Sequence, residues 1–490
     1  MANLNSKIHP VILGNVKMLQ DNGFEAYLVG GCVRDLLLER EPKDWDITTN
    51  ATPEQIQAVF EHTNYENNFG TVRVINDEEE AEPLRVVEVT PYRRESSYSD
   101  HRHPDNVVFS KHLEDDLARR DFTINSIAYD PIKDTIVDPF KGQSDLIQKV
   151  LRAVGNADHR FEEDALRILR AIRLANELNF VIESATQDAI VARETELAHI
   201  SSERIRDELV KMLMSSTPAT AIVISQKLRV WKHIIPELEK GIGCEQNGDH
   251  IYDVWTHNIK ALQYAADQNW PLHIRLASLL HDVAKPNTAA WSEEKKDWTF
   301  YGHDVVGGRI AGKILVRLKF SRETIAVVTK LVRYHLFFSD VEKITLSAVR
   351  RVVANIGQEN IWDLIKVRCC DRIGMGRPKA EPFRLRKYES MIEEVLRDPI
   401  SVGMLKINGE TLLKEFHMKP GPRIGWLLHA LLDDVLDEPT RNNKDYLVSR
   451  VTELDRLDDS VLKSRGDKGK DTQSKAEREE IREIQKKYNV

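Results

Sequence analysis

Cysteine is scarce in this chain: Cys32, Cys244, Cys369 and Cys370 are the four in 490 residues, and no Cys-x-x-Cys spacing occurs. A disulfide framework is thereby excluded, and such usage fits a reducing cytoplasm. No apolar run approaches the roughly 18 to 20 residues that a bilayer span needs. Met1–Gln20 holds no apolar stretch or cleavage-like site of the kind that directs secretion. Positive charge is not in excess either, since 70 Lys and Arg against 78 Asp and Glu leave a formal charge of −8. That excludes a uniformly basic nucleic-acid binder, although a local basic face suffices for RNA. Internal repeats are absent, and Pro becomes sparse between Arg160 and Lys227. What is present, 41% hydrophobic and 30% charged residues, reads as a soluble, mostly helical chain with roughly three or four domains.

The strand signals sit near the amino terminus, at Ala26–Val29, Trp45–Thr48, Thr71–Ile75, Leu84–Thr90, Val107–Phe109 and Thr135–Asp138. They alternate with helical segments near Asn5–Asn22, Val33–Glu39, Pro53–Glu61 and Thr123–Ala128, which predicts an α/β head. From Arg160 on the periodicity is helical to the end. Pro236, Gly241-Ile242-Gly243 and Asn247-Gly248-Asp249 mark one boundary, and Gly374 to Pro382 marks another. From Asp459 the sequence is dense in charge and poor in apolar residues, which predicts a frayed helix or disorder.

Chemistry concentrates in Tyr27-Leu28-Val29-Gly30-Gly31-Cys32-Val33-Arg34-Asp35, followed by Asp44-Trp45-Asp46. Gly30 and Gly31 let backbone N–H groups approach a phosphate without a Cβ in the way, and a helix start presents its positive end to the anion. Asp44 and Asp46 on a strand would share a face, where two carboxylates repel unless a cation lies between them. Hard oxygen ligands suit Mg²⁺, and paired carboxylates suit two-metal phosphoryl transfer. Glu88 lies inside the run Leu84–Thr90, a costly place for an unpaired carboxylate. The stretch between Arg94 and Lys111 is polar and long for a hairpin connection.

In Arg119-Arg120-Asp121-Phe122-Thr123-Ile124-Asn125, arginine offers a planar fork for phosphate and Asn125 could reach a ribose hydroxyl. Arg160–Arg173 is strongly helical, with Asp164, Arg167 and Arg170 stepping by three along one face. On periodicity alone that stripe is a salt-bridge ladder worth tenths of a kcal/mol per pair. Further on, His257, His281-Asp282, His303, His335 and Asp371 punctuate successive helices. Imidazole with carboxylate suits Mn, Ni, Fe or Zn with positions left open for water or phosphate.

The block from Gly30 to Asp46 resembles the signature of the class II tRNA nucleotidyltransferase and bacterial poly(A) polymerase family. The resemblance covers about residues 20–375. It implies an α+β chain: a polymerase-β-like nucleotidyltransferase head over 1–155, an all-α neck choosing the nucleotide over 156–240, an HD domain over 241–375 and a helical RNA-binding body and tail over 376–490. Asp44 and Asp46, with Glu88 as third acid beside Thr90-Pro91-Tyr92-Arg93, become catalytic and Mg²⁺-binding residues. Gly30, Gly31, Arg34, Arg120, Asp121, Asn125 and Arg170 become nucleotide-binding. Glu163-Asp164-x-x-Arg167 resembles the family's protein template, in which Asp164 accepts from the exocyclic amine of cytosine or adenine and Arg167 donates to the ring. Uracil and guanine present a carbonyl there, a mismatch worth about 1–3 kcal/mol.

The order of the His and Asp residues is similar to the HD phosphohydrolase superfamily. It implies His257, His281, Asp282 and Asp371 as primary ligands, with His303 and His335 closing the site or holding a second ion, and Ni²⁺ or Mn²⁺ as the metal. The implied activity is addition of CCA to tRNA 3′ ends from CTP and ATP, in the cytoplasm and with no membrane partner. A poly(A) polymerase or a partial CC- or A-adding enzyme shares these motifs. The polar Arg94–Lys111 stretch and the intact Glu163-Asp164-x-x-Arg167 favour CCA addition. A rival of another class is an HD phosphohydrolase whose head only binds nucleotide or RNA.

Overall fold

A computed structural model describes residues 4–65, 70–96, 106–248, 250–337, 344–397 and 401–490. The chain falls into two compact units, Met1–His335 with Lys366–Pro378, and Leu336–Ile365 with Lys379–Val490. No helix among the described residues is long and apolar enough to cross a membrane.

The first unit begins with nine strands: β1 (Ala26–Val29), β2 (Asp46–Thr49), β3 (Thr63–Tyr65), β4 (Val72–Ile75), β5 (Val86–Pro91), β6 (Arg93–Ser96), β7 (Asn106–Phe109), β8 (Ala128–Asp130) and β9 (Thr135–Val137). Seven form one sheet in the order β3-β4-β5-β2-β1-β8-β9. Only β2 and β5 run parallel within it, with Asp46 opposite Glu88 and Ile47 opposite Val89. The sheet is held by fully buried Leu28, Ile47, Val72, Val87 and Val89, against which helix Gly31–Leu37 packs Val33 and Leu36. Each such side chain contributes up to about 1.5–3 kcal/mol of burial.

In the head the sequence reading is corrected at several places. Leu84 and Arg85, read as strand, close the helical turn Glu82–Arg85, so β5 starts at Val86. Thr123–Ala128, read as helix, is a single 3₁₀ turn, Thr123–Asn125, after which Ala128 and Tyr129 enter the sheet beside β1. In the polar Arg94–Lys111 stretch the strand read at Val107–Phe109 is present as β7, and it pairs antiparallel with β6, which was not read, Arg93 opposite Phe109 and Ser96 opposite Asn106. The centre of the stretch, 97–105, lies outside the described residues.

From Ala157 the first unit is nearly all helical. Asn156 caps helix Ala157–Glu163 by accepting from the Asp158 and His159 N–H groups. The continuous helix expected over Arg160–Arg173 is broken: Asp164 has φ −149 and ψ 101, and a second helix, Leu166–Leu178, follows. It buries Ile168, Leu169, Ala171 and Ile172 completely.

In the second unit, Leu412, Leu427, Leu431, Leu432, Leu447, Val451 and Leu462 form one core. The charged end, expected to fray or be disordered, is the 29-residue helix Asp459–Lys487 lying along Pro422–Asp437. Glycines make this possible. A Cβ on Gly469 would come 2.0 Å from the His429 carbonyl oxygen, and one on Gly466 would come 2.6 Å from Trp426 Cα. Gly469→Val is therefore expected to push the two helices apart at a cost of about 1–3 kcal/mol. Urea unfolding, with limited proteolysis releasing the carboxyl-terminal segment, checks this; an unchanged cleavage pattern would show the helix held by other contacts.

Candidate active site

The turn after β1 places the head chemistry. Gly30 adopts φ 85, a conformation that favours glycine. A Cβ there would sit 3.3 Å from Asp46 Oδ2 and 3.1 Å from Arg120 Nη1, so its absence lets a carboxylate and a guanidinium close over the turn. The corresponding point on Gly31 lies 3.7 Å from Asp44 Oδ1. Asp44 precedes β2 rather than lying on it, and it is exposed, so the strand-parity argument does not apply to it. The pairing nevertheless reaches back to Trp45, whose carbonyl accepts the Glu88 N–H at 3.3 Å. Asp44, Asp46 and Glu88 line two adjoining cavities of about 840 and 430 Å³, Lys43 standing in both. Glu88 takes Arg73 as partner at 3.3 Å. Burial, then the negative neighbours Asp44, Glu88 and Asp116, outweigh Arg120 and push Asp46 up to about 7.

A tied shell of cations surrounds this acid group. Asp116, fully buried, accepts from Arg119 at 2.5 Å, Arg120 at 3.1 Å and Thr48 at 3.2 Å. Asp121 accepts from Arg170 Nε at 2.8 Å, Asn125 Nδ2 at 3.2 Å and the Phe122 N–H at 2.8 Å. Burial pushes the Asp121 carboxyl up, but the Arg170 guanidinium and these hydrogen bonds outweigh it and hold it at about 2. Asn125 in turn accepts from Arg34 at 2.9 Å, and Arg34 holds Asp35. Asp121 thus orients Arg170, and Asn125, which itself lines the large cavity, orients Arg34.

The neck residues part company. Arg170 lines the 840 Å³ cavity together with Asp44 and Asp46, whereas Asp164 and Arg167 are not among its lining residues. Asp164 takes Arg204 at 2.7 and 3.2 Å and caps the next helix through the Leu166 N–H. Arg167 donates to Glu163 at 2.5 Å and to the Arg160 and Arg119 carbonyls. The stripe read as one helical face is split by the break at Asp164.

The His and Asp residues of the later helices do converge. One ligand atom from each of His257, His281, Asp282 and Asp371 lies within 4.8 Å of the others, as do those of Asp282, His303 and His335. Asp282 joins the two groups, with His257 Nε2 at 3.1 Å and His303 Nε2 at 3.2 Å. His281, His303 and His335 each set Nδ1 against a backbone carbonyl, of Ser278, Phe300 and Val332 at 2.8, 2.6 and 2.7 Å, which turns Nε2 inward. His303 Nε2, His335 Nε2 and Asp282 Oδ1 are buried without a hydrogen bond. Burial lowers His257 and His335 from their ordinary value, and His257 Nε2 lies 2.8 Å from His281 Nε2. Burial opposes charge on His281 too, but Asp282 and Asp371 hold it up at about 10. Lys285 and Arg368 each pair with one oxygen of these carboxylates, and the converging imidazole nitrogens and remaining carboxylate oxygens form a donor set that a metal ion fits.

A CCA-adding enzyme of Lactobacillus delbrueckii subsp. bulgaricus is 33% identical over 433 residues, covering 88% of this chain and 94% of that protein. The chain belongs to the CCA-adding enzyme family. Within the family, a Geobacillus thermodenitrificans CCA-adding enzyme is 42% identical over 230 residues, 47% of this chain and 55% of the relative. Family models match at 26–152, "Poly A polymerase head domain", at 179–242, "Probable RNA and SrmB- binding site of polymerase A", and at 290–451, tRNA nucleotidyltransferase domain 2. The crystal structure of the Bacillus stearothermophilus CCA-adding enzyme in complex with CTP superposes with a TM-score of 0.58 at 26% identity, covering 92% of this chain and 98% of that one. The Thermotoga maritima CCA-adding enzyme complexed with tRNA shares the fold at a TM-score of 0.52 and 20% identity. The family therefore accounts for the head, and the mixed α+β architecture agrees with these structures.

Several residues at the sites escaped the sequence reading. Asp116 sits in Glu114-Asp115-Asp116, where only its position one turn before Arg119-Arg120 hints at a buried acceptor. Arg40 and Lys43, from the loop before β2, line the large cavity with Arg173 and Lys211 of two helices. His250 meets His257 edge to face with ring centres 5.0 Å apart, and Lys285 lies 2.6 Å from Asp282 Oδ2, one turn after it.

Proposed function

We propose that the chain adds CCA to tRNA 3′ ends from CTP and ATP without a nucleic-acid template. The observation that carries this reading is that Asp44, Asp46 and Glu88 share one cavity with the Gly31 turn and with Arg170 of the neck. Asp44 and Asp46, with Glu88, would hold Mg²⁺, which supplies activation of the 3′-hydroxyl and stabilisation of departing pyrophosphate. The turn at Gly30 and Gly31 and the guanidinium groups of Arg34, Arg120 and Arg170 would receive the triphosphate. Their ties to Asn125, Asp116 and Asp121 keep them oriented before substrate arrives. Asp164 and Arg167 would choose the base, their orientations fixed by Arg204 and Glu163. The domain limits that go with this reading are 1–155, 156–240, 241–375 and 376–490, in a cytoplasmic protein. The His257, His281, Asp282 and Asp371 group, with His303 and His335, would hold Ni²⁺ or Mn²⁺ as a phosphohydrolase centre.

The deciding experiment offers CTP and ATP, separately and together, to tRNAs ending at the discriminator base, at C and at CC. Addition of C, C and A in turn is expected. Failure to add C to the first substrate would leave A addition or polyadenylation.

Two further outcomes follow from the geometry. Arg204→Ala should loosen Asp164 and erode the preference for CTP over UTP by about 5- to 150-fold, the range of one satisfied polar contact. Unchanged discrimination in single-turnover assays would remove Asp164 from base choice. Because Asp46 must shed its proton to bind a cation, apparent Mg²⁺ affinity should rise about tenfold per pH unit up to about 7 and level off above. Calorimetric titration across that range checks this, and a flat profile would exclude Asp46 as the titrating ligand.

A further inference from the structure

Between Asp282 and His303 the chain forms a small hairpin, Ala290–Ser292 paired with Asp297–Thr299. Its register sets Trp291 opposite Trp298, so the two indoles share a face, with centroids 5.7 Å apart and planes at 80°. Trp291 is 51% exposed and Tyr301, just beyond the hairpin, is 75% exposed. Lys295 donates to the Tyr301 hydroxyl at 2.7 Å and leans over its ring. Core packing does not account for aromatic surface left in water on so small an element.

The hairpin is tied to the His and Asp cluster at several points. The Trp298 carbonyl accepts from Asn247 at 2.7 Å, and the adjacent Gln246 accepts from Lys285 at 2.6 Å. Two positions beyond Trp298, Phe300 has the Lys285 ammonium 5.7 Å from its ring centre, and Lys285 lies against Asp282. The Phe300 carbonyl holds His303 Nδ1. Glu293 and Glu294 balance Lys295 and Lys296 in the turn. The turn therefore offers no net attraction to a phosphate backbone, while every nucleobase has a face for an aromatic side chain.

We propose that Trp291, Trp298 and Tyr301 form a stacking platform for a nucleobase, whose phosphate is thereby presented to the cluster around Asp282. The ligand class is a nucleotide phosphate, free or at the end of a single strand. This inference rests on reading that cluster as a phosphohydrolase centre, and it makes the base, not only the phosphate, a determinant of substrate choice.

The test uses the full chain loaded with Mn²⁺ and compares AMP with ribose 5-phosphate, which differ only in the base. A short oligoadenylate with a terminal phosphate forms the third arm. Wild type is expected to favour AMP, and Trp291→Ala to lower kcat/KM for AMP about tenfold or more with ribose 5-phosphate unaffected and CCA addition intact. A larger loss on the oligonucleotide than on AMP assigns the strand end as the ligand. Independently, photo-cross-linking with azido-AMP should label Trp291, Trp298 or Tyr301. Equal effects on AMP and ribose 5-phosphate, or labels confined to residues other than Trp291, Trp298 and Tyr301, would overturn the platform. Hydrolysis of none of the three by wild type would overturn the phosphohydrolase reading instead, and the cross-link would then decide the platform alone.

Discussion

Asp46→Asn is expected to slow nucleotide transfer at least about a thousandfold, the scale of losing a principal charge at a phosphoryl-transfer centre, while leaving the metal-free protein as stable or more stable. The stability half follows from the carboxyl's environment. Burial and the charges of Asp44, Glu88 and Asp116 raise it from 3.8 to about 7 in the folded chain. A group raised on folding binds its proton in the folded state through that window. The stability it confers is complete below the ordinary value and lost as pH rises through about 7. Above that pH the wild type without Mg²⁺ carries a half-buried charge that asparagine lacks. Melting curves near pH 8 should therefore show a Tm increase with Mg²⁺ in the wild type and little or none in the variant. Transfer at wild-type rates by Asp46→Asn would sink the assignment, and the melt separates loss of chemistry from loss of fold.

The head was legible in the sequence wherever chemistry and local structure coincide. Gly30 must take a positive φ, the helix must start at once, and the acids must follow within reach, so a short string encodes the site. Strands β3, β6 and β8 escaped because three or four residues carry too little period-2 signal, and neighbouring strands decide their state. The break at Asp164 escaped for the opposite reason. Arg160 to Arg173 holds no Gly or Pro and is rich in Arg, Leu, Ala and Glu, so it reads as one helix, and only the pairing of Asp164 with Arg204, forty positions away, reveals what the break accommodates. The terminal segment read as a frayed helix or disorder because it is dense in charge and poor in apolar residues, whereas Gly466 and Gly469, by lacking side chains, let a neighbouring helix approach. The histidine cluster was readable as a set because its members are few and chemically distinctive. The tryptophan hairpin beside it has no motif, and only its register brings Trp291 and Trp298 together.

Arg170→Met should cost about 3–5 kcal/mol of stability at neutral pH, because it strands the buried carboxylate of Asp121. Asn125 and the Phe122 N–H still donate to that group, but neither supplies charge. Asp121→Asn combined with Arg170→Met should recover much of the loss, since a neutral amide needs no counter-ion, and this double-mutant cycle isolates the pair. The pH dependence gives a second readout. Asp121 is held at about 2, below its ordinary 3.8, so it confers stability above the ordinary value that fades as pH falls toward about 2. In Arg170→Met that contribution is gone, and protonation relieves the stranded charge. The stability gap between wild type and variant should therefore narrow as the pH is lowered from about 7 toward about 3. A gap constant with pH would mean that Arg170 acts through packing of its aliphatic stem rather than through its charge. If the charge acts as argued, the same variant should also lose affinity for nucleoside triphosphate, because one pair both braces the head against the neck and aims a cation into the cavity that Asp44 and Asp46 line.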